Sequence, residues 1–77
     1  MSELIVYTME GCPYCAKIKG ELDSKHISYE EREISSFKDE FQKLKDEHGV
    51  KTVPTSVVNG KVIVGSDKVN EIEKELR

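Results

Sequence analysis

The chemistry available to this chain starts with sulfur. The stretch Gly11-Cys12-Pro13-Tyr14-Cys15-Ala16-Lys17 holds both of its cysteines. Two thiols at this spacing can form a structural staple, contribute half of a metal site, or act as a reactive pair. As a staple they achieve little, because the stabilisation from a disulfide grows with the length of the loop it closes. As metal ligands they lack company. Structural zinc takes four protein ligands, and the remaining nitrogen donors, His26 and His48, lie 22 positions apart, each reading more simply as a polar residue at a helix end. Met9, Cys12 and Cys15 form a Met-x-x-Cys-x-x-Cys run that would suit a soft ion such as Cu(I), but Pro13 starts a helix directly at the first cysteine. A non-catalytic metal-binding module is therefore the alternative of another class.

A reactive pair needs one exposed sulfur that attacks and one sheltered sulfur that resolves. The elements around the motif supply that asymmetry. Leu4-Ile5-Val6-Tyr7 is a short apolar, β-branched run that suits a strand buried on both faces, followed by a loop over residues 8–11. Pro13 fits the first turn of a helix, where its missing N–H costs nothing. Cys15, Ile18 and Leu22 then recur on one face of a helix reaching about Lys25, despite Gly20. Cys12 thus falls at the N-cap, facing unpaired backbone N–H groups and the positive end of the helix dipole, which favour a thiolate. Cys15 lies inside the first turn, partly covered. Lys17 and Lys19 could add positive potential there, but as surface lysines on a helix they read more simply as solvated than as catalytic.

Further along, Ile27 and Tyr29 alternate with polar residues and predict a second strand through about Glu33. Ser35 or Ser36 is the expected cap of a helix with the apolar stripe Phe37, Phe41 and Leu44, stopped at Gly49. Asn59-Gly60 between Thr55–Val58 and Lys61–Val64 calls for a two-residue hairpin. A last helix from about Asp67 presents Val69, Ile72 and Leu76 to the core. The order is β-α-β-α-β-β-α, an α/β chain. Its first two strands pair in parallel through a right-handed crossover, and the hairpin makes the four-stranded sheet mixed, flanked by three helices.

Seventy-seven residues predict a single domain over 1–77 and a small core. With 15 acidic and 12 basic residues interspersed, the formal charge is −3, and no basic block suggests nucleic acid or a membrane surface. The longest apolar runs, such as Leu4–Tyr7 and Val62–Val64, are too short to span a bilayer. Glu3 stands where an export signal carries positive charge, so the expectation is a reducing cytoplasm, where paired cysteines are catalytic or metal-binding.

Lys51-Thr52-Val53-Pro54 precedes the first hairpin strand. Pro54 either marks the start of that strand or forms a cis bond that turns the Val53 backbone toward an extended substrate. Composition leaves both readings open.

Taken together, Tyr7-Thr8, Cys12-Pro13-Tyr14-Cys15, Lys51-Thr52-Val53-Pro54 and Gly65-Ser66-Asp67 resemble a glutaredoxin in order and spacing over nearly the whole chain. The resemblance implies a thioredoxin-like fold, a cis bond at Pro54, Cys12 as nucleophile, Cys15 as resolving thiol, and a groove for glutathione, which serves as cosubstrate with no cofactor bound. Residue by residue, Tyr14 would flank the sulfur, the Val53 backbone would pair with the cysteinyl part, and Lys51 would meet the glycyl carboxylate. Ser66 and Asp67, at a helix N-terminus, would hold the γ-glutamyl end. Thr52 belongs to the same binding segment, and Pro13 and Gly65 shape the site. The implied partners of this monomer are glutathione and protein disulfides. Two departures bear on them. Met9 stands three residues before Cys12 where many members have Lys or Arg, and Val64-Gly65 replaces Gly-Gly. The Val-Gly ending also resembles redoxins that accept electrons from thioredoxin reductase and serve ribonucleotide reductase.

Overall fold

The computed structural model describes residues 4–76. The chain runs β1 (Leu4–Thr8), α1 (Pro13–Ser24), β2 (Glu30–Glu33), α2 (Lys38–His48), β3 (Thr55–Val58), β4 (Lys61–Val64) and α3 (Val69–Leu76). The strands form one sheet in the order β2-β1-β3-β4, with β1 parallel to β2 and the other two pairings antiparallel. This is the expected mixed sheet with three helices.

Strand alternation sorts the core into two parts. Leu4 and Val6 of β1, with Val58 and Ile63, face α1 and α3, where they pack with Ile18, Leu22, Val69 and Ile72. Ile5 and Tyr7 face the other way, toward Phe41 and Leu44 of α2 and the buried Val50. The first part is the larger and drier. On the α2 side polar contacts supplement the packing. The Tyr7 hydroxyl donates to Glu40 Oε1 at 3.0 Å, Arg32 bonds the same carboxylate, and the Arg32 guanidinium lies 5.3 Å from the centre of the Phe37 ring. No helix among the described residues is long and apolar enough to cross a membrane.

Two turns come out as expected. Asn59 and Gly60 both adopt positive φ, 50° and 82°, as a type I′ hairpin turn requires. Gly49 closes α2 at φ 67°, its N–H bonded to the Lys45 carbonyl at 3.1 Å.

Three boundaries differ from expectation, each for a local hydrogen-bonding reason. The second strand starts at Glu30 rather than Ile27. His26 takes a left-handed φ of 58°, its N–H bonds Asp23 O at 3.1 Å, and the Ile27 N–H bonds Leu22 O at 2.9 Å. This is a Schellman closure with histidine in the position glycine usually fills. Ile27 is the apolar residue that packs behind the closure, so its N–H serves the helix end and not a strand ladder. The second helix starts at Lys38 with Phe37 as its N-cap, not Ser35 or Ser36. The Ser35 hydroxyl turns back to Glu33, and Ser36 N and Phe37 N bond the carbonyls of Glu33 and Ile34 in a turn of their own. The last helix starts at Val69 rather than near Asp67. The Lys68 carbonyl accepts the first helical bonds, from Glu71 N and Ile72 N, which leaves Ser66 and Asp67 in the turn ahead of it.

Candidate functional site: a thiol pair between two grooves

Cys12 is the N-cap of α1, in extended conformation at φ −87° and ψ 114°, with Pro13 next in line. Its own N–H is tied to Met9 O and its carbonyl accepts from Ala16 N, both at 3.2 Å, so the loop is pinned on both sides of the sulfur. Its side chain caps nothing and remains partly exposed as a free thiol, whereas the free thiol of Cys15 is 2% exposed beneath it.

This placement drives the two thiols apart in acidity. The neighbouring Cys15 thiol, and then the backbone N–H groups of Cys15 and Tyr14, favour charge on the Cys12 sulfur and lower it from the ordinary thiol range. Burial pushes Cys15 up to about 11, and the neighbouring Cys12 adds to the rise. The exposed sulfur is thus the more acidic of the two and the sheltered one the weaker acid, the order that attack by Cys12 requires. The expected helix N–H groups do contribute, but the partner thiol contributes more.

A groove of about 400 Å³ meets the motif at Tyr14, between the two cysteines in sequence, and is lined besides by Lys17, Thr52, Val53, Pro54, Gly65, Ser66 and Asp67; neither sulfur lines it. The Val53–Pro54 bond is cis. Thr55 Oγ1 donates to Thr52 O at 2.7 Å, and Gly65 N donates to Pro54 O at 3.0 Å. These two bonds fasten both walls of the groove to the sheet. Of the residues named for glutathione, Lys51 is the exception. It is exposed but does not line this groove, and the lysine that does is Lys17, which the sequence reading left as a solvated helix residue. Helical spacing carried a usable signal here, since Lys17 lies one turn beyond Pro13 and Tyr14 on the exposed side of α1.

The thiols themselves open onto a different groove, of about 460 Å³. Cys12, Cys15, Thr8, Met9, Lys19, Glu31 and Glu33 are among its lining residues. The sequence reading placed no site here. Met9 is 49% exposed at its rim and presents a thioether to solvent.

Two histidines weighed as metal ligands, His26 and His48, are exposed at the ends of different helices. Among the described residues no group of three or more His, Cys, Asp or Glu side chains is arranged to hold a metal ion.

The glutaredoxin family model matches residues 4–63, which include both cysteines and the Thr52-Val53-Pro54 segment. Glutaredoxin 1 of Rickettsia conorii is 42% identical over 76 residues, spanning 96% of this chain and 74% of that one. The chain belongs to the glutaredoxin family. Glutaredoxin 3 of Escherichia coli is 30% identical across 95% of this chain and 88% of its own length. Among solved structures, the glutaredoxin-like protein NrdH-redoxin from Escherichia coli superposes with a TM-score of 0.81 over 91% of this chain and 93% of that one, at 17% identity. That likeness concerns the fold. Family membership, together with two free thiols of opposed acidity at one helix start, makes this glutaredoxin a thiol–disulfide oxidoreductase.

Proposed function

We propose that the chain is a glutathione-dependent dithiol–disulfide oxidoreductase acting in a reducing cytosol on protein disulfides and glutathione mixed disulfides. The observation that carries this reading is the groove that meets the motif at Tyr14, walled by Val53-Pro54 on one side and Gly65-Ser66-Asp67 on the other. The Cys12 thiolate attacks a substrate sulfur, forming a mixed disulfide and releasing the other sulfur as a thiolate. Cys15 loses its proton and attacks Cys12, which breaks the mixed bond, releases the second substrate thiolate and leaves Cys12–Cys15 oxidised. Two glutathione molecules then restore the dithiol and depart as glutathione disulfide.

In this reading the Val53 backbone pairs with the cysteinyl part of glutathione, and Tyr14 and Thr52 flank it. Asp67 takes the γ-glutamyl ammonium, and backbone N–H groups of the turn at Ser66 take its carboxylate. That turn precedes α3 and is not its first turn, so orientation by N–H groups does most of the work and the helix dipole less. Lys17, already in the groove, meets the glycyl carboxylate with Lys51 as an outer charge.

A second reading, reduction by thioredoxin reductase and delivery of electrons to ribonucleotide reductase, is favoured by Met9 and by the exposed Val64, which replace features that suit an anionic tripeptide. NADPH consumption separates the two. The oxidised protein is turned over once with glutathione and glutathione reductase, and once with thioredoxin reductase alone. Turnover with glutathione is the expected result. Turnover with thioredoxin reductase only would overturn glutathione dependence and keep the thiol chemistry.

A further inference from the structure

The groove on the Glu31 side holds an arrangement that the thiol exchange described so far does not use. Lys19 follows Cys15 by one helical turn on α1, and both open onto this groove with Cys12, Thr8 and Glu31. Lys19 Nζ lies 2.9 Å from Glu31 Oε2, and the buried Thr8 hydroxyl donates to the same oxygen at 2.9 Å. Thr8 ends β1 and Glu31 sits in the adjacent parallel strand, so the carboxylate is fixed by the sheet. An unpaired lysine at the edge of a helix spends its time in water. Here the sheet-borne carboxylate draws the ammonium back across the face of the helix that carries Cys15.

Resolution requires a charge to appear at Cys15, which is the less favourable of the two ionisations because the sulfur is buried. Once Cys12 is tied up in a mixed disulfide, its negative charge no longer opposes the second thiolate. Burial remains as the main obstacle. The charged groups facing the groove are Lys19 from α1, Glu10 from the loop, and Glu31 and Glu33 from β2. Lys19 is the one cation among them. Its charge acts to lower Cys15, and Glu31 is itself held below the usual carboxylate range by Lys19 and Thr8. The pair therefore remains an ion pair throughout the neutral range.

We propose that Lys19, held in place by Glu31 and Thr8, is a positioning residue for the resolving step, stabilising the Cys15 thiolate as it forms. The inference rests on the proposed roles of Cys12 and Cys15. In that step the Cys15 S–H proton passes to water in the groove. The electron pair left on sulfur forms the Cys12–Cys15 bond, and the bond between Cys12 and the substrate sulfur breaks. The substrate leaves with that electron pair as a thiolate and takes up a proton from solvent. The cysteine pair loses two electrons and the substrate disulfide gains two.

Dithiodipyridine, a neutral disulfide, separates the two attacks. The first thiopyridone released reports Cys12, and the second reports displacement by Cys15. In Lys19→Met the second phase is expected to slow by about threefold at neutral pH, with its rise displaced to higher pH, while the first phase keeps its rate; about half a pKa unit corresponds to that factor. Lys19→Arg should restore the profile, and Glu31→Gln, which frees the lysine, should lose about half the effect of Lys19→Met. Superimposable second-phase profiles for Lys19→Met and the parent would overturn the proposal, as would failure of Lys19→Arg to restore it. A parent protein that releases one thiopyridone and never a second would overturn the resolving role of Cys15 itself. That outcome is distinct from an unchanged Lys19→Met profile.

Discussion

The surroundings of Cys12 and of Cys15 differ as much as two places one helical turn apart can. Cys12 belongs to a loop end, open to solvent and aimed at by backbone N–H groups, with the Val53–Asp67 groove meeting the motif at Tyr14. Cys15 belongs to the interior, resting on the helix face that continues into Ile18 and Leu22. The difference is a product of the fold and not of the sulfurs. A proline at the start of a helix places the first cysteine before the helical pattern begins and the second within it, so the same residue type becomes an exposed thiol of lowered pKa in one place and a buried, weaker acid in the other.

The largest effect expected from breaking this contrast is complete loss of turnover. Cys12→Ser should abolish reduction of both protein disulfides and glutathione mixed disulfides in a coupled NADPH assay, because a hydroxyl has no thiolate to offer at neutral pH. Cys15→Ser removes the interior partner only. Protein-disulfide reduction should fall by about a hundredfold or more, since the mixed disulfide then waits for an external thiol, while removal of glutathione from a mixed disulfide should continue. Equal loss of both activities in Cys15→Ser would mean that the interior thiol supports Cys12 and does not resolve.

A titration sharpens the same contrast without mutation. Cys12 lies below the ordinary thiol range, so its alkylation by iodoacetamide should already be rising toward a plateau at pH values where a free thiol is still mostly protonated. Cys15, at about 11, should lag far behind. A thiol three units above the pH of measurement is ionised in about one part in a thousand. Mass mapping of the reduced protein after brief alkylation at mildly alkaline pH should find label at Cys12 and almost none at Cys15. Comparable labelling of both would contradict the buried position of Cys15.

How much of this was legible in the sequence follows from the range of the interactions involved. The lowering of Cys12 depends on residues within one helical turn, all of them in Cys12-Pro13-Tyr14-Cys15, and the burial that raises Cys15 was legible in its apolar spacing with Ile18 and Leu22. The hairpin was equally local, since Asn59-Gly60 specifies its turn by the positive φ values that those two residues tolerate. The strand starting at Glu30 was misplaced because histidine seldom closes a Schellman motif, and nothing in the letters at 26 and 27 announces that the Ile27 N–H reaches back to Leu22. The Lys19–Glu31 pair was invisible for a different reason. It joins a helix to a strand twelve residues on, and its formation depends on the register that sets Glu31 opposite Val6. Lys17 lines the groove where Lys51 was expected; the helical spacing of Lys17 from Tyr14 was the usable signal, while nothing local to Lys51 says where its loop carries it.

That difference yields the smallest effect and the finest test. If Lys17 is the groove cation, Lys17→Ala should raise KM for a glutathione mixed disulfide with little change in kcat, because a charge that meets the glycyl carboxylate equally in ground and transition state contributes uniform binding. Both lysines are exposed, so the effect is limited to what surface pairs contribute, about 0.2–1 kcal/mol, or at most about fivefold in KM. Lys51→Ala should change KM by less than twofold, since a charge outside the groove acts through screened solvent. Added salt should shrink both effects, and the small Lys51 effect, which acts through solvent, should vanish first. The reverse order, with Lys51→Ala the more damaging, would show that the loop before Val53 closes onto the bound tripeptide and brings its lysine inward. Equal KM values for both variants and the parent would instead make the carboxylate contact a backbone one, leaving Thr52 and Val53 to hold the ligand.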